Sequence, residues 1–286
     1  MNTMNESAVQ DRTIGDIIRD ARNLSAAEVE QVLAFQREKG VRFGEAAIAL
    51  GLASEEEVLS ALAEQFHYPL AKAEKRSSNP ELVALNQPFG VQAEAFRAIR
   101  SQVSMRLNPG RDQRLPLALI SPGVGDGKTY FAANLAIVMA QLGGRTLLVD
   151  ADLRSPRQHE VFGLSNGAGL SSILSGRAES QVIQQVDGLP NLFVLPAGPL
   201  PPNPAELVER AAFGLLMREL NGKFDHIVVD TPAAAHGADA AVVAARCGAA
   251  LVLARKDASR VAGLEDLVAS LTGSGVQLVG AIVNEF

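Results

Sequence analysis

The stretch "ISPGVGDGKTYFAANLA", residues 120–136, passes from an apolar segment through a glycine-rich turn into a helix-like run that Lys-Thr opens. Glycines let the backbone curl with its N–H groups facing inward, and the start of a helix adds a partial positive charge. The stretch therefore predicts a phosphate-binding loop between a strand and a helix. The glycines concerned are Gly123, Gly125 and Gly127.

Lys128 is placed in this pattern to reach the β- and γ-phosphates of a nucleotide, and the Thr129 hydroxyl to ligate Mg²⁺. The usual first glycine of the motif is replaced by Pro122. A glycine-rich turn with a chance Lys-Thr pair is the alternative, but the strand–loop–helix order favours a phosphate site. The pattern leaves open whether the phosphate is hydrolysed, transferred to a protein or only bound.

Aspartates follow two other apolar runs: "TLLVDADLR" contains Asp150 and Asp152, and "HIVVDTP" contains Asp230. Because the carboxyl ends of parallel strands line the ligand crevice, we expect these carboxylates beside the phosphate loop, around a Mg²⁺ ion that relieves their repulsion. Helix capping explains any one aspartate but not all three with the loop. One of Asp150 and Asp152 would hold water on the metal, and the other would accept a proton from an attacking hydroxyl. Arg154 would stabilise phosphate charge or form a surface salt bridge.

Short apolar runs alternate with helical segments from residue 117 onwards, which indicates a parallel sheet covered on both faces. The predicted fold class is α/β: a P-loop NTPase with a mostly parallel sheet covered by helices, preceded by a small all-helical repeat domain. The predicted strands are 117–120, 146–149, 192–195, 226–229, 250–254 and 278–283.

Composition limits the function classes. The chain has 286 residues, 47% of them hydrophobic, and its net charge of −6 argues against nucleic-acid binding. A single cysteine, Cys247, excludes a disulfide framework or a cysteine metal cluster and is typical of the cytosol. The polar N-terminus is unlike a signal peptide, and the apolar run 238–254 is interrupted by charges and short for a membrane span. We therefore expect a cytoplasmic protein.

Residues 14–36 and 43–65 align at an offset of 29 residues. Ser25 and Ser54 each precede an acidic, apolar-periodic run, as helix N-caps do. Each copy is predicted to form two short helices that bury their apolar faces against the other copy. The predicted division of the chain is a helical repeat domain (1–70), a charged, Pro-containing linker (71–91) and a P-loop domain (92–286).

The motifs from about residue 90 onwards resemble those of the bacterial tyrosine kinases of exopolysaccharide export, in particular the chain-length-determinant kinases that are separate cytosolic proteins. That family has three apolar residues before D-x-D-x-R, here "LLVDADLR", and before D-x-x-P, here "IVVDTP" with the proline one place early. "LPAGPLPPNPAELV" is similar to its Pro-rich loop and "LVGAIVNEF" to its last strand. The related ParA- and MinD-type ATPases carry a lysine five places before the loop lysine, where this chain has Gly123, and this favours the kinases.

The resemblance implies an ATP- and Mg²⁺-dependent tyrosine kinase that regulates exopolysaccharide chain length, polymerisation and export. It also implies a partner, the cytosolic tail of a membrane chain-length regulator, which would hold the protein at the periphery of the inner membrane. The implied catalytic residues are Lys128, Asp150, Asp152 and Asp230, and the implied metal ligands are Thr129 and the same three aspartates. The implied nucleotide contacts are Gly123, Gly125, Asp126, Gly127, Lys128, Thr129, Tyr130, Arg154 and, near the adenine, Asn284.

"EAFRAIR" places Glu94, Arg97 and Arg100 on one helical face. In the kinase family this spacing joins subunits into a ring, so the resemblance implies a homo-oligomer. The alternative is a solvated helix face with an ion pair between residues three apart.

The kinase family usually phosphorylates a C-terminal tyrosine cluster, whereas this chain ends "AIVNEF" and contains only Tyr68 and Tyr130. Tyr130 follows the phosphate loop and is expected near the nucleotide. One alternative function is therefore an assembly switch that hydrolyses ATP without making a phosphoprotein. A non-catalytic adaptor is a third reading, which the intact lysine and carboxylates disfavour. The polysaccharide and any phosphorylated residue stay open.

The repeat resembles the N-terminal domain of type II secretion and pilus ATPases, some of which bind cyclic di-GMP. The second copy keeps the pattern's arginine and two glycines, whereas the first has Thr13 and Arg22 in place of the arginine and the second glycine. Because a ligand site across two repeats needs both halves, docking of a protein is favoured over cyclic di-GMP binding. The retained residues are Arg42, Gly44 and Gly51.

Overall fold

The computed structural model of this chain describes residues 12–65, 79–107, 114–177 and 181–285. The chain divides into two compact units, Met1–Leu70 and Ala71–Phe286. Tyr68 and residues 71–78 of the predicted linker lie outside the described residues. No helix in the described ranges is long and apolar enough to cross a lipid bilayer.

The first unit is helical, and each of its helices begins with the same local device. The carboxylate of the third helical residue accepts a hydrogen bond from the backbone N–H of the residue before the helix, at 2.8 to 3.3 Å. In three helices the Thr or Ser hydroxyl also accepts from the carboxylate residue's N–H, which completes a capping box. The helices are α1 (Ile14–Arg22), α2 (Ala26–Lys39), α3 (Phe43–Ala49) and α4 (Glu55–Gln65). The pairs are Thr13–Asp16, Ser25–Glu28, Arg42–Glu45 and Ser54–Glu57.

These pairs recur at the 29-residue offset of the sequence repeat, so the repetition extends to hydrogen bonding. The helices enclose a small core that includes Ile17, Ile18 and Val32. A Cβ on Gly44 would lie 2.5 Å from a methyl carbon of Val58, so the close approach of α3 to α4 requires glycine at this position.

The second unit contains a seven-stranded sheet in the order β3-β4-β2-β5-β1-β6-β7. Every neighbouring pair is parallel except β3 and β4. The predicted α/β class is confirmed. The two-residue β3 was not predicted, because no apolar run marks it in the sequence. The strands are β1 (Leu117–Ile120), β2 (Thr146–Asp150), β3 (Gln184–Gln185), β4 (Leu192–Leu195), β5 (His226–Asp230), β6 (Ala249–Arg255) and β7 (Gln277–Asn284).

Helices cover both faces of this sheet, because its central strands are apolar on both sides. One core layer includes Leu85 and Phe96 beside the largely buried helix α7, and the other includes Phe213 and Val243. The helices are α5 (Val83–Asn86), α6 (Val91–Leu107), α7 (Lys128–Ala140), α8 (Gln158–Phe162), α9 (Leu170–Leu174), α10 (Pro204–Glu209), α11 (Ala211–Asn221), α12 (Asp239–Cys247) and α13 (Val261–Gly273).

Part of the predicted linker is packed structure. Leu82 and Leu85 are buried in the core of the second unit. The buried side chain of Asn134 on α7 accepts from Ala84 N–H at 2.9 Å and donates to the carbonyl of Glu81 at 2.8 Å. The second unit therefore begins before residue 91, because a buried asparagine ties the backbone of this segment to the central helix.

Candidate active site

The segment after β1 carries the chain to α7 through a loop whose helix end is open. Gly125 and Gly127 have φ angles of +80° and +90°, which L side chains rarely adopt. No side chain caps α7 at Gly127, in contrast to α1, α2 and α4 of the first unit. The first N–H groups of α7 are therefore left for an external acceptor such as a phosphate.

Lys128 lies at this helix end and is only 7% exposed. Its Nζ donates to Ser121 Oγ at 2.9 Å, and that hydroxyl donates to the carbonyl of Gly123 at 2.8 Å. Burial lowers the pKa of Lys128, and the carboxylate of Asp230 is the main influence that opposes this shift. Ser121 was not selected from the sequence, because only its contact with the lysine distinguishes it from any serine after a strand.

Asp126 holds the loop in place. Its Oδ2 accepts from Gly123 N–H at 2.7 Å and its Oδ1 accepts from Ser259 Oγ at 2.8 Å. Asn284 Nδ2 donates to the backbone carbonyl of Asp126 at 3.0 Å. The nucleotide contact expected of Asp126 stays a prediction, while its carboxylate is turned to the protein and ties the loop to the segments after β6 and in β7.

Asp150 and Asp230 lie directly opposite each other at the ends of β2 and β5, and both are buried. Burial raises the pKa of Asp150 well above its ordinary value, and the neighbouring Asp230 adds to this shift. Burial also raises the pKa of Asp230 to about 6, against the opposing influence of Lys128. Asp230 Oδ1 is buried without a hydrogen-bond partner. A divalent cation beside this pair would favour the ionised form of both carboxyl groups.

Backbone N–H groups bond to both carboxylate oxygens of Asp150 and to one oxygen of Asp152. Asp150 accepts three of them from the following loop at 2.9 to 3.2 Å. Asp152 Oδ1 accepts from Arg154 and Ser155 at 3.0 and 2.9 Å. No group of three or more His, Cys, Asp or Glu side chains in the described part of the chain could hold a metal ion. The expectation of three carboxylates around one ion is corrected accordingly, because the turn after β2 uses these oxygens.

The remaining donor set fits a Mg²⁺ ion that arrives with a nucleotide. Such an ion takes one or two protein oxygens, phosphate oxygens and several waters rather than an all-protein cage. Thr129 supplies a hydroxyl in the first turn of α7, and Asp230 Oδ1 is an oxygen that lacks a partner. The residues present are therefore compatible with this ion.

Arg154 forms an ion pair instead of facing the phosphate loop. Its Nε and Nη2 donate to the two carboxylate oxygens of Asp239 at 2.8 and 3.1 Å. The side chain of Asp239, in the first turn of α12, is only 4% exposed. Of the two predicted roles for Arg154, the structure shows the salt bridge, and Asp239 is a partner that the sequence did not reveal.

A cleft of about 1020 Å³ opens beside the loop. Tyr130 contributes to its wall, and its ring centroid lies 5.9 Å from that of Phe96 on α6. Burial raises the pKa of the Tyr130 hydroxyl. The cleft thus joins the phosphate loop, an aromatic wall and the carboxyl ends of the sheet. Its lining includes Glu81, Phe96, Gly125, Gly127, Lys128, Thr129, Tyr130, Asp152, Arg157, His236 and Asn284.

The predicted assembly face on α6 makes contacts within the chain. Arg97 forms an ion pair with Glu94 at 2.7 Å and donates to the carbonyl of Pro88. Arg100 donates to the carbonyl of Val138 on α7 at 2.8 Å. The two arginines thus bond α6 to the segment before it and to α7, whereas the Glu94 side chain is 72% exposed.

Comparison with known proteins places the chain. A family model described as the CobQ/CobB/MinD/ParA nucleotide binding domain matches residues 117–286. The putative tyrosine-protein kinase CapB of Staphylococcus aureus is 32% identical over 74% of this chain and 92% of its own length. This chain belongs to the bacterial tyrosine kinase family. The predicted membership of a P-loop kinase/ATPase family is confirmed with it.

Two further relatives show the extent of the bacterial tyrosine kinase match. The tyrosine-protein kinase Wzc of Salmonella typhimurium is 33% identical over 74% of this chain, which spans only 29% of that kinase's length. The kinase domain of the Escherichia coli tyrosine kinase ETK superposes with a TM-score of 0.68 and 34% identity, over 73% of this chain and 82% of that domain.

Proposed function

We propose that this chain is an ATP- and Mg²⁺-dependent protein-tyrosine kinase that regulates the chain length, polymerisation and export of an exopolysaccharide. The observation that carries the proposal is the uncapped start of α7, with Lys128 and Thr129 beside a large cleft, in a chain of the bacterial tyrosine kinase family. Exposed helix N–H groups and a buried ammonium are suited to a triphosphate.

The position of each residue suggests its role in binding the phosphates, Mg²⁺ or the base. Lys128 and the loop amides would hold the β- and γ-phosphates, while Thr129 and Asp230 would hold Mg²⁺, with Asp150 behind them. The ion, when bound, supplies neutralisation of phosphate charge. Asp152 lines the cleft and would accept the proton of an incoming hydroxyl. Tyr130 and Asn284 would contact the base.

The proposed setting is the cytoplasmic side of the inner membrane, on the cytosolic tail of a membrane chain-length regulator. Glu94 is the exposed member of the α6 face, and it would contribute to a ring of subunits together with Arg97 and Arg100. The helical unit would dock a protein. The alternative is that it binds cyclic di-GMP, which a titration with that dinucleotide tests.

A second candidate function is an ATP-driven assembly switch on the same machinery. It is favoured because few tyrosines could accept a phosphate: the chain has two, and Tyr130 is half-buried against Phe96 in the cleft wall. In this case the phosphate goes to water, and nucleotide state controls only assembly.

Intact-mass spectrometry after incubation with Mg²⁺-ATP distinguishes the kinase from the assembly switch. The protein is measured alone and with the regulator's tail, and released ADP is counted in the same samples. We expect a mass gain of one phosphate that maps to tyrosine and is absent in Lys128→Ala. Release of ADP without added mass on either protein would replace the kinase by the switch. Neither product in any sample would contradict both.

A further inference from the structure

Gln158 is a fully buried residue at the start of α8, and no motif in the sequence marks it as functional. Its amide Nε2 donates to the carbonyl of Thr129 at 3.1 Å and to Asp230 Oδ2 at 2.8 Å. Both partners are acceptors, so the amide is fixed in one orientation: its oxygen in the same place would face two oxygens. One side chain therefore links the first turn of α7 to the end of β5.

The backbone of the same residue reaches the third element of the site. The N–H of Gln158 donates to Asp150 Oδ2 at 2.9 Å. Gln158 thus contacts Thr129, Asp150 and Asp230, the residues placed around Mg²⁺ above. Two buried oxygens beside these bonds, Gln158 Oε1 and Asp230 Oδ1, have no hydrogen-bond partner. Buried acceptors without donors are rare in folded proteins, and these two indicate that a bound group completes the site.

We propose that Gln158 is a positioning residue, which holds Asp230 by Oδ2 and so leaves Oδ1 for the hydrated Mg²⁺ of the nucleotide. The inference rests on the proposed Mg²⁺-ATP function. The physical reason is that Lys128 and the bound Mg²⁺ would compete for the Asp230 carboxylate. Lys128 attracts this carboxylate, and the phosphates need the same ammonium. A donor fixed at Oδ2 opposes a turn of Asp230 towards Lys128, so both groups stay available to the ligand.

Calorimetric titration of the full chain with a non-hydrolysable ATP analogue, with Mg²⁺ and with EDTA, tests this role. Gln158→Met keeps the side-chain volume and removes the donor. We expect the Mg²⁺-dependent gain in affinity to fall about tenfold, as for groups that orient metal ligands, while the affinity in EDTA changes less than about twofold. Gln158→Glu keeps the shape and puts an acceptor where the donor was, so we expect at least the same loss.

Gln185→Ala is the matched control, because that amide also donates to a backbone carbonyl, of Pro190 at 2.7 Å, but on the edge strand β3. Thermal unfolding without nucleotide confirms that each variant is folded. A purely structural role would lower the affinities with and without Mg²⁺ together, and this result would overturn the inference.

The same titration distinguishes the inference from the function on which it rests. An unaltered chain without a Mg²⁺-dependent gain would overturn the proposed function and the role of Gln158 with it. A gain in the unaltered chain that both folded Gln158 variants retain would overturn the positioning role alone.

Discussion

The two units treat the starts of their helices in opposite ways. In the helical unit each of the four helices found in residues 12–65 has a carboxylate on its third residue that accepts from the N–H of the residue before the helix. In the nucleotide-binding unit α7 starts at Gly127 without a side-chain cap. A capping box occupies two of the first four N–H groups of a helix, whereas an uncapped helix keeps more of them free to bind an anion.

The polar contacts of the two units also differ in range and burial. The caps of the helical unit are exposed and local. The second unit instead uses buried bonds between distant segments, such as Asn134 to Ala84 and Thr231 to Leu119. The helical unit adds local caps to a small shared core, whereas the second unit holds an open site by buried contacts between distant segments.

Loss of a buried long-range contact should have the largest effect. Asn134→Ala leaves the buried N–H of Ala84 and the partly buried carbonyl of Glu81 without their partner. At about 1–3 kcal/mol for each group, we expect the second unit to lose about 4 kcal/mol of stability, or roughly 10 °C in Tm. Thermal unfolding checks this, with Asn221→Ala at the end of α11 as the control. A shift no larger than the control's would show that this bond is not important.

Removal of the Lys128 ammonium should abolish the stabilisation of the second unit by a bound nucleotide. A nucleotide at 100 times its Kd stabilises the folded state by about 2.7 kcal/mol. We expect Lys128→Ala to abolish this gain at the same concentration and to change the ligand-free Tm little. Differential scanning fluorimetry with Lys223→Ala, an exposed lysine on the segment after α11, is the comparison. A full ligand-induced shift in Lys128→Ala would contradict the role of the open helix end.

Loss of a local cap should have a smaller and confined effect. Ser54→Ala removes the hydroxyl that accepts from Glu57 N–H at the start of α4. The expected loss is about 1 kcal/mol, the usual cost of an N-cap change. Hydrogen exchange followed by mass spectrometry should show weaker protection in residues 12–65 and unchanged protection in residues 114–177. Equal loss in both ranges would mean that the caps are not local in effect.

Acid should weaken the helical unit through the same caps. Hydrogen bonds from Thr13, Ser25 and Ser54 lower the pKa values of their carboxylates below the ordinary 3.8 for Asp and 4.5 for Glu. A lowered pKa contributes stability above the ordinary value, which is lost as the pH falls through the lowered one. We therefore expect a small loss below about pH 4. The variant Asp16→Asn, Glu28→Gln, Glu57→Gln should depend less on pH in circular-dichroism melts, and an unchanged dependence would exclude these groups.

Local patterns predicted much of this structure. The phosphate loop, six strands and the repeat follow from glycine spacing, apolar runs and capping residues, each of which acts within a few positions. The two-residue strand β3 was not predicted because its sequence "QQ" has no alternation of apolar and polar residues. The start of the second unit was misplaced because Leu82 and Leu85 stand in a polar, Pro-containing stretch, and only their burial shows that it is packed.

Side-chain partners across the fold could not be predicted in this way. Arg154 and Asp239 are 85 positions apart, and Gln158 and Asp230 are 72 apart. A one-dimensional pattern gives the residue types at strand ends but not the turn that follows, so it could not show that backbone N–H groups occupy Asp150 and Asp152. Only the folded structure shows that both oxygens of Asp150 and Oδ1 of Asp152 accept from backbone N–H groups.

The strand order has a consequence for the time at which this protein becomes functional during its synthesis. Leu119, just before the phosphate loop, pairs with Asp230, and the Thr231 hydroxyl bonds to its carbonyl from 112 positions later. A nascent chain that has passed the loop therefore lacks the strands that will hold it. The described contacts of the helical unit lie within residues 12–65, so this unit can fold as soon as it emerges. Its interactions are thus available before the chain is able to bind a nucleotide.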